Sequence, residues 1–208
     1  SIPGSTFSRS FSVTPGQISR VNITPSLAFI NGSHILSNKA IHVTSNNEVV
    51  VFAVTYHQAR HEAALVLPTP SLGKRYRVMS HKSEIKGGNL YESEFSIVAD
   101  IDTVVVDITP KGNIAPTQWA NVQYSVTIPP NHVYQAQALA STDDLTGTLI
   151  ESKNGKTFSV YSGNVWSTVV CSPNSDPLLE GMFPTNTWGK DYFAIPTPSI
   201  NKDYIRVL

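Results

Sequence analysis

The chain repeats itself, and a repeated chain folds into something built by repetition. Gly73-Lys74-Arg75-Tyr76 returns as Gly189-Lys190-Asp191-Tyr192. Each copy follows a hydrophobic stretch that ends in Pro, Leu65-Val66-Leu67-Pro68 and Leu179-Glu180-Gly181-Met182-Phe183-Pro184. Ser12-Val13-Thr14-Pro15 returns as Ser125-Val126-Thr127-Ile128-Pro129, and Val51-Phe52-Ala53-Val54 is echoed by Thr157-Phe158-Ser159-Val160. The offsets are 189 − 73 = 116, 125 − 12 = 113 and 157 − 51 = 106. Three similar offsets in the same order argue for a duplicated unit. Such architectures more often bind than catalyse.

The repeated material has the pattern of strands. Helical periodicity is almost absent, and runs rich in Val, Ile, Thr, Phe and Tyr recur about every ten residues between Pro, Gly, Asn and Asp. Strands are expected near Phe7–Val13, Ile18–Ile23, Ala40–Thr44, Val49–His57, Glu62–Leu67 and Tyr76–Ser80. More are expected near Phe95–Ala99, Thr103–Ile108, Val122–Ile128, Val133–Ala138, Gly147–Glu151, Thr157–Ser162, Leu178–Met182 and Tyr192–Ile195, and a last one from Tyr204. Val49–Val51 and Val104–Val106 are continuous apolar runs, which predicts strands covered on both faces. Asn154-Gly155 is the clearest hairpin turn, because this pair supplies the positive φ angles of a two-residue connection. Pro15-Gly16 and Pro129-Pro130-Asn131 are expected to close other hairpins, and Gly87-Gly88 reads as a plain turn.

These strands group in fours, at about 50 residues per antiparallel unit, the spacing of propeller blades. The expected fold is all-β, with repeated four-stranded units arranged like a propeller; the alternative is tandem β-sandwich domains. One module is expected over 1–208 as part of a longer chain. Its sub-repeats fall at about 40–138 and 147–208, and 6–24 matches the end of the first.

Composition narrows the partners. Of 208 residues, 40% are hydrophobic, enough for a core, and only 14% are charged, against roughly 25% in an average globular chain. The surface is therefore Ser, Thr and Asn, as in many extracellular β proteins. Fifteen basic residues balance fifteen acidic ones, so no basic excess exists to hold a phosphate backbone. No apolar run approaches the ~20 residues of a membrane-spanning helix, and the opening Ser1-Ile2-Pro3-Gly4 is not a signal peptide. Asn22-Ile23-Thr24 and Asn31-Gly32-Ser33 are candidate glycosylation sites at Asn22 and Asn31. Cys171 is the single cysteine; it is either a free thiol or one half of an intermolecular disulfide.

Several segments resemble one family. "SNKAIHVTSNNEVVVFAV", "LVLPTPSLGKRYRVMS", "DDLTGTLIESKNGKTFSVYSGN" and "LLEGMFPTNTWGKDYF" are similar to the N-terminal domain of the IgG-Fc-binding protein family, from about Phe11 to the end. The most specific part is Asp144-Leu145-Thr146-Gly147-Thr148, then Val160-Tyr161-Ser162-Gly163, then Thr187-Trp188-Gly189-Lys190. The resemblance implies a non-catalytic extracellular module of large secreted mucus-associated, adhesive or matrix-type proteins. Its usual neighbours are von Willebrand type D and other cysteine-rich domains. The implied partners are other domains of the same protein or homologous chains, with glycans or glycoproteins as further candidates. Many members carry a Cys pair where this chain has only Cys171, with Trp166 and Ser175 near the expected places. Antibody binding itself is not implied for this chain.

The residues that can carry chemistry are few. His57 and His61, four apart, are read as turn residues rather than as a zinc pair. Asp100 with Asp102, and Asp143 with Asp144, are the paired carboxylates. A glycosidase sets two carboxylates across a sugar, and calcium favours clustered oxygens such as those of Ala99–Asp102. Adjacent Asp residues before a strand more often bond backbone N–H groups in turns. A carbohydrate-active enzyme would draw on these four. No G-x-S-x-G motif and no phosphate loop occurs, and neither a resident cofactor nor a metal is expected. Trp119, Trp166 and Trp188 are the stacking candidates. Trp166, in the long Asn164–Pro177 insertion, is expected to be the exposed one that contacts a ligand.

Overall fold

The computed structural model describes residues 1–57, 60–169, 174–195 and 204–208, without the side chains of His57 and Arg60. Among the described residues thirteen strands form, all paired antiparallel. They are β1 (Ile35–Ser37), β2 (Val51–His57), β3 (Arg60–Val66), β4 (Arg75–Arg77), β5 (Glu84–Lys86), β6 (Asn89–Tyr91) and β7 (Ser93–Val98), followed by β8 (Val104–Thr109), β9 (Tyr124–Ile128), β10 (Val133–Gln137), β11 (Leu149–Ser152), β12 (Ser159–Ser167) and β13 (Asp176–Gly181). One helical turn, Pro25–Ala28, and two 3₁₀ turns, Thr69–Ser71 and Thr185–Thr187, complete the described structure.

Alternation decides which faces meet. In β7, Ser93, Phe95 and Ile97 point inward, and in β8, Val104, Val106 and Ile108 do the same. A strand with this period buries one face and solvates the other. β7 lies at the centre of a five-stranded sheet, β1-β10-β7-β12-β13; β8 lies within a four-stranded sheet, β4-β11-β8-β9. Phe95, Ile97, Tyr134 and Phe158 share one core with Tyr76, Val106, Ile108, Ile128 and Ile150, so both sheets contribute to the same interior. Each such side chain stabilises the fold by about 1.5–3 kcal/mol through burial alone.

This sandwich-like arrangement departs from the propeller-like expectation. A blade needs consecutive strands side by side. Here the chain passes from one sheet to the other, and strands from 75–137 interleave with strands from 149–181. Two hairpin expectations fail for the same reason. The Asn154-Gly155 turn links β11 to β12, which lie in different sheets, and its amide bonds back to the start of β8: Asn154 Nδ2 donates to Thr103 O (2.9 Å) and Val105 N donates to Asn154 Oδ1 (3.2 Å). Pro129–Asn131 likewise carries the chain from β9 to β10 across the sandwich. Conversely, Gly87 and Gly88, both at positive φ, close a two-residue hairpin between β5 and β6.

Ten expected strands form and five do not. The five unformed ones, 7–13, 18–23, 40–44, 192–195 and 204 onward, lie toward the two ends of the chain, and the described residues within these five ranges carry no strand assignment. Val49–Val51, expected to be covered on both faces, is largely exposed. Beside the sandwich, β2 and β3 form a hairpin of their own, with β3 packed against β13.

Candidate functional site

One of the two carboxylate pairs is spent on turns. Asp143 Oδ1 accepts from Asn113 N (3.0 Å) and Asn113 Nδ2 (3.1 Å), and its Oδ2 accepts from Ala140 N (3.1 Å). Asp144 Oδ1 accepts from Thr146 N (2.8 Å), and its other oxygen faces Arg206 at 3.8 Å. Asp102 pairs with Lys156 (3.0 Å), and Asp100 accepts from Thr69 Oγ1 (3.5 Å). Asp143 and Asp144 thus bond backbone N–H groups, the arrangement of turn formation, whereas Asp100 and Asp102 meet only a hydroxyl and a surface cation. His61 stacks on its cross-strand neighbour Tyr56, with centroids 4.6 Å apart. No group of three or more His, Cys, Asp or Glu side chains fit to hold a metal occurs among the described residues. Cys171 lies outside the described residues. Asn22 and Asn31 are exposed, and Ser33 of the second sequon donates its hydroxyl to Ala115 O (2.7 Å) and Gln137 O (3.0 Å).

Trp166 is half-buried rather than exposed. Its ring meets Tyr91 edge to face at 4.8 Å, and Lys86 Nζ sits 5.1 Å from its centroid. Lys86 is itself occupied: it pairs with Glu84 (3.0 Å) and donates to Thr168 Oγ1 and Ser175 Oγ. Burial by itself would raise the Glu84 pKa. Donation from Thr168 N, Lys86, Ser167 and Thr168 Oγ1 outweighs this and holds the carboxyl down at about 2. The cluster ties the β5–β6 hairpin to the ends of β12 and β13. Trp119 and Trp188 are the more exposed tryptophans.

Three arrangements escaped sequence reasoning, because residues far apart in the chain create them. Asn164, fully buried, accepts from His81 N (2.7 Å) and donates to His81 O (2.7 Å), locking β12 to the segment before β5. Tyr124 and Tyr134 share a 3.1 Å hydroxyl contact, and Tyr134 also meets His34 Nδ1 at 2.7 Å. Burial raises both phenols, that of Tyr134 to about 12. Glu94 is raised to about 7, first by burial and then by the neighbouring Glu92 charge; Gln137 Nε2, which donates to it at 2.9 Å, opposes the shift. Glu94 lies on the outer face of β7, just before the expected Phe95–Ala99 strand, and nothing in the local sequence reveals its neighbours.

The exposed apolar groups lie elsewhere. Phe52, Val54 and Tyr56 line the open face of β2, and Tyr192, Phe193 and Ile195 stand bare after the second 3₁₀ turn. Isolated exposed apolar residues are ordinary, whereas grouped ones such as these mark contact sites.

No curated protein and no solved structure matches the chain. A model of the family described as IgGFc binding protein matches residues 62–208, a span that begins at β3 and includes every strand of the central sandwich except β1. The match therefore starts later than the expected Phe11. It covers 208 − 62 + 1 = 147 residues, more than two thirds of the sequence, and the chain belongs to the IgGFc binding protein family.

Proposed function

We propose that the chain is a non-catalytic extracellular binding and structural module of a larger secreted protein of adhesive, mucus or matrix type. The observation that carries this reading is the family membership. The bonding of Asp143 and Asp144 supports it, because carboxylates that accept from backbone N–H groups in turns are poorly placed for acid/base exchange with a substrate. The low charge and the bare apolar face of β2 also suit protein contact.

The test presents the intact chain, immobilised, with an IgG Fc fragment, a mucin-type glycoprotein and a panel of free glycans. Saturable binding to a protein or glycoprotein, without turnover of any glycan, is the expected result. Glycan hydrolysis lost on Asp143→Asn or Asp102→Asn would overturn it in favour of a carbohydrate-active enzyme. A sugar-binding reading rests on the Trp166, Tyr91 and Lys86 group; free-glycan binding abolished by Trp166→Ala would establish that reading instead.

A further inference from the structure

The flanks carry core residues with no core. Phe158, just before β12, and Val160 on β12 are 0% and 1% exposed, whereas their repeat counterparts Phe52 and Val54 on β2 are 62% and 64% exposed. Tyr76 on β4 is fully buried and its counterpart Tyr192 is 75% exposed. Ile41–Ser45 aligns with Thr148–Ser152, since 152 − 45 = 107, and places Val43 at the position of buried Ile150. The same residue types at the same repeat positions are thus interior in one copy and bare in the other.

The local geometry is nevertheless already formed. Thr69–Ser71 and Thr185–Thr187 are matching 3₁₀ turns, each preceded by Pro. Gly73 N donates to Tyr76 Oη at 2.7 Å, and Gly189 N donates to Tyr192 Oη at 2.6 Å. In the first copy the hydroxyl goes on to donate to Phe158 O at 2.6 Å, and Tyr76 pairs with Ile150 across β4 and β11. In the second copy no such onward bond from the Tyr192 hydroxyl occurs among the described residues.

Contacts between successive repeats exist on both sides of the sandwich. β3 packs beside its counterpart β13, close enough that a Cβ on Gly181 would crowd Leu65 O. The second 3₁₀ turn sits on β4, where a Cβ on Gly73 would overlap Pro184. The bare residues continue outward from these two established joints.

We propose that the two flanks are docking surfaces for further units of this same repeat, joined head to tail. Residues 41–66, with β2 and β3, present the closing part of one sandwich, and Gly189 onward presents the opening part of another. The partner is a β unit that brings central alternating strands like β7 and β8, whose Phe95, Ile97, Val104 and Val106 cover Phe158 and Val160 in the central sandwich. A second copy of the 208-residue chain cannot supply them without opening its own core. The proposal rests on the binding-module reading and names its partner.

The experiment extends the intact chain. The offset of 116 sets Leu208 opposite Glu92, since 208 − 116 = 92, so a second copy of residues 93–208, itself carrying Tyr192→Phe so that the two peptides differ in mass, is placed directly after Leu208. Tyrosine nitration is followed by peptide mass spectrometry, with Tyr76 as the buried control in every sample. In the 208-residue chain Tyr192 is expected to react rapidly; in the extended chain it reacts at least about tenfold more slowly, as a group that must wait for local opening. An unchanged Tyr192 rate in the extended chain overturns the proposal. So does protection of Tyr192 in the 208-residue chain that grows with concentration, which would assign the surface to a second copy. The readout is burial, not ligand capture, so it can fail while the module reading stands.

Discussion

Replacing Glu94 by Gln should make the protein more stable at neutral pH and flatten its pH dependence. Glu94 faces outward from β7, yet burial raises its carboxyl from 4.5 to about 7. The folded state therefore holds this proton more tightly than the unfolded chain does. Its contribution to stability is fully present below pH 4.5, declines as the pH rises toward 7, and is gone above that. A rise from 4.5 to about 7, at about 1.4 kcal/mol per tenfold change in proton affinity, corresponds to a loss of up to about 3 kcal/mol across the window. Glutamine cannot ionise, and its side-chain oxygen can still accept from Gln137. Urea denaturation of both proteins between pH 4.5 and 8 gives the difference directly, and subtraction removes groups common to both. The variant should be close to wild type at pH 4.5 and more stable by roughly 2–3 kcal/mol at pH 8. A constant difference across that range would refute the claim that folding strains this carboxylate.

Three further outcomes follow from the same geometry. A Cβ at Gly163 would overlap Leu178 O on β13, so Gly163→Ala should lower stability by more than about 3 kcal/mol in thermal unfolding. Asn164→Ala strands the N–H and C=O of His81 inside the fold, and about 2–4 kcal/mol should be lost in urea. Glu84 is held down at about 2, so its contribution is present above pH 4.5 and disappears as the pH falls toward 2. Glu84→Gln should cost roughly 1–3 kcal/mol at pH 7 and almost nothing near pH 2, measured by denaturation at both values.

The period-two alternation of Phe95–Ala99 and Thr103–Ile108 was legible because both strands carry one face to the core. The sheet to which each belongs was not. Strand grouping assumed that sequence neighbours pair, and Asn154-Gly155 looked like a hairpin for that reason. Its side chain instead finds Thr103 and Val105, 49 residues from one of them, and the turn becomes a crossing between sheets. Short β5 and β6 hid behind Gly87-Gly88, whose paired positive φ angles define a hairpin but whose flanks are only three residues each. The duplication was visible from Gly73-Lys74 and Gly189-Lys190. That one copy has a buried tyrosine and the other a bare one is set by the strands packed around each, which the repeated motif does not encode. Likewise, the turn role of Asp143 followed from its neighbours in sequence, whereas Trp166 is half-buried through Tyr91 and Lys86, about 80 residues away, as long-range sheet contacts demand.

The central claim is that strands of 75–137 and 149–181 form one sandwich-like core while the flanking repeats remain bare. Native-state amide hydrogen exchange measures this directly. Ile97, Val106, Ile150 and Val160 should exchange together through one shared opening, with 40–44 and 192–195 exchanging close to unfolded rates. Separate openings for 40–80, 95–138 and 147–195, or strong protection of 192–195 in the chain alone, would contradict it.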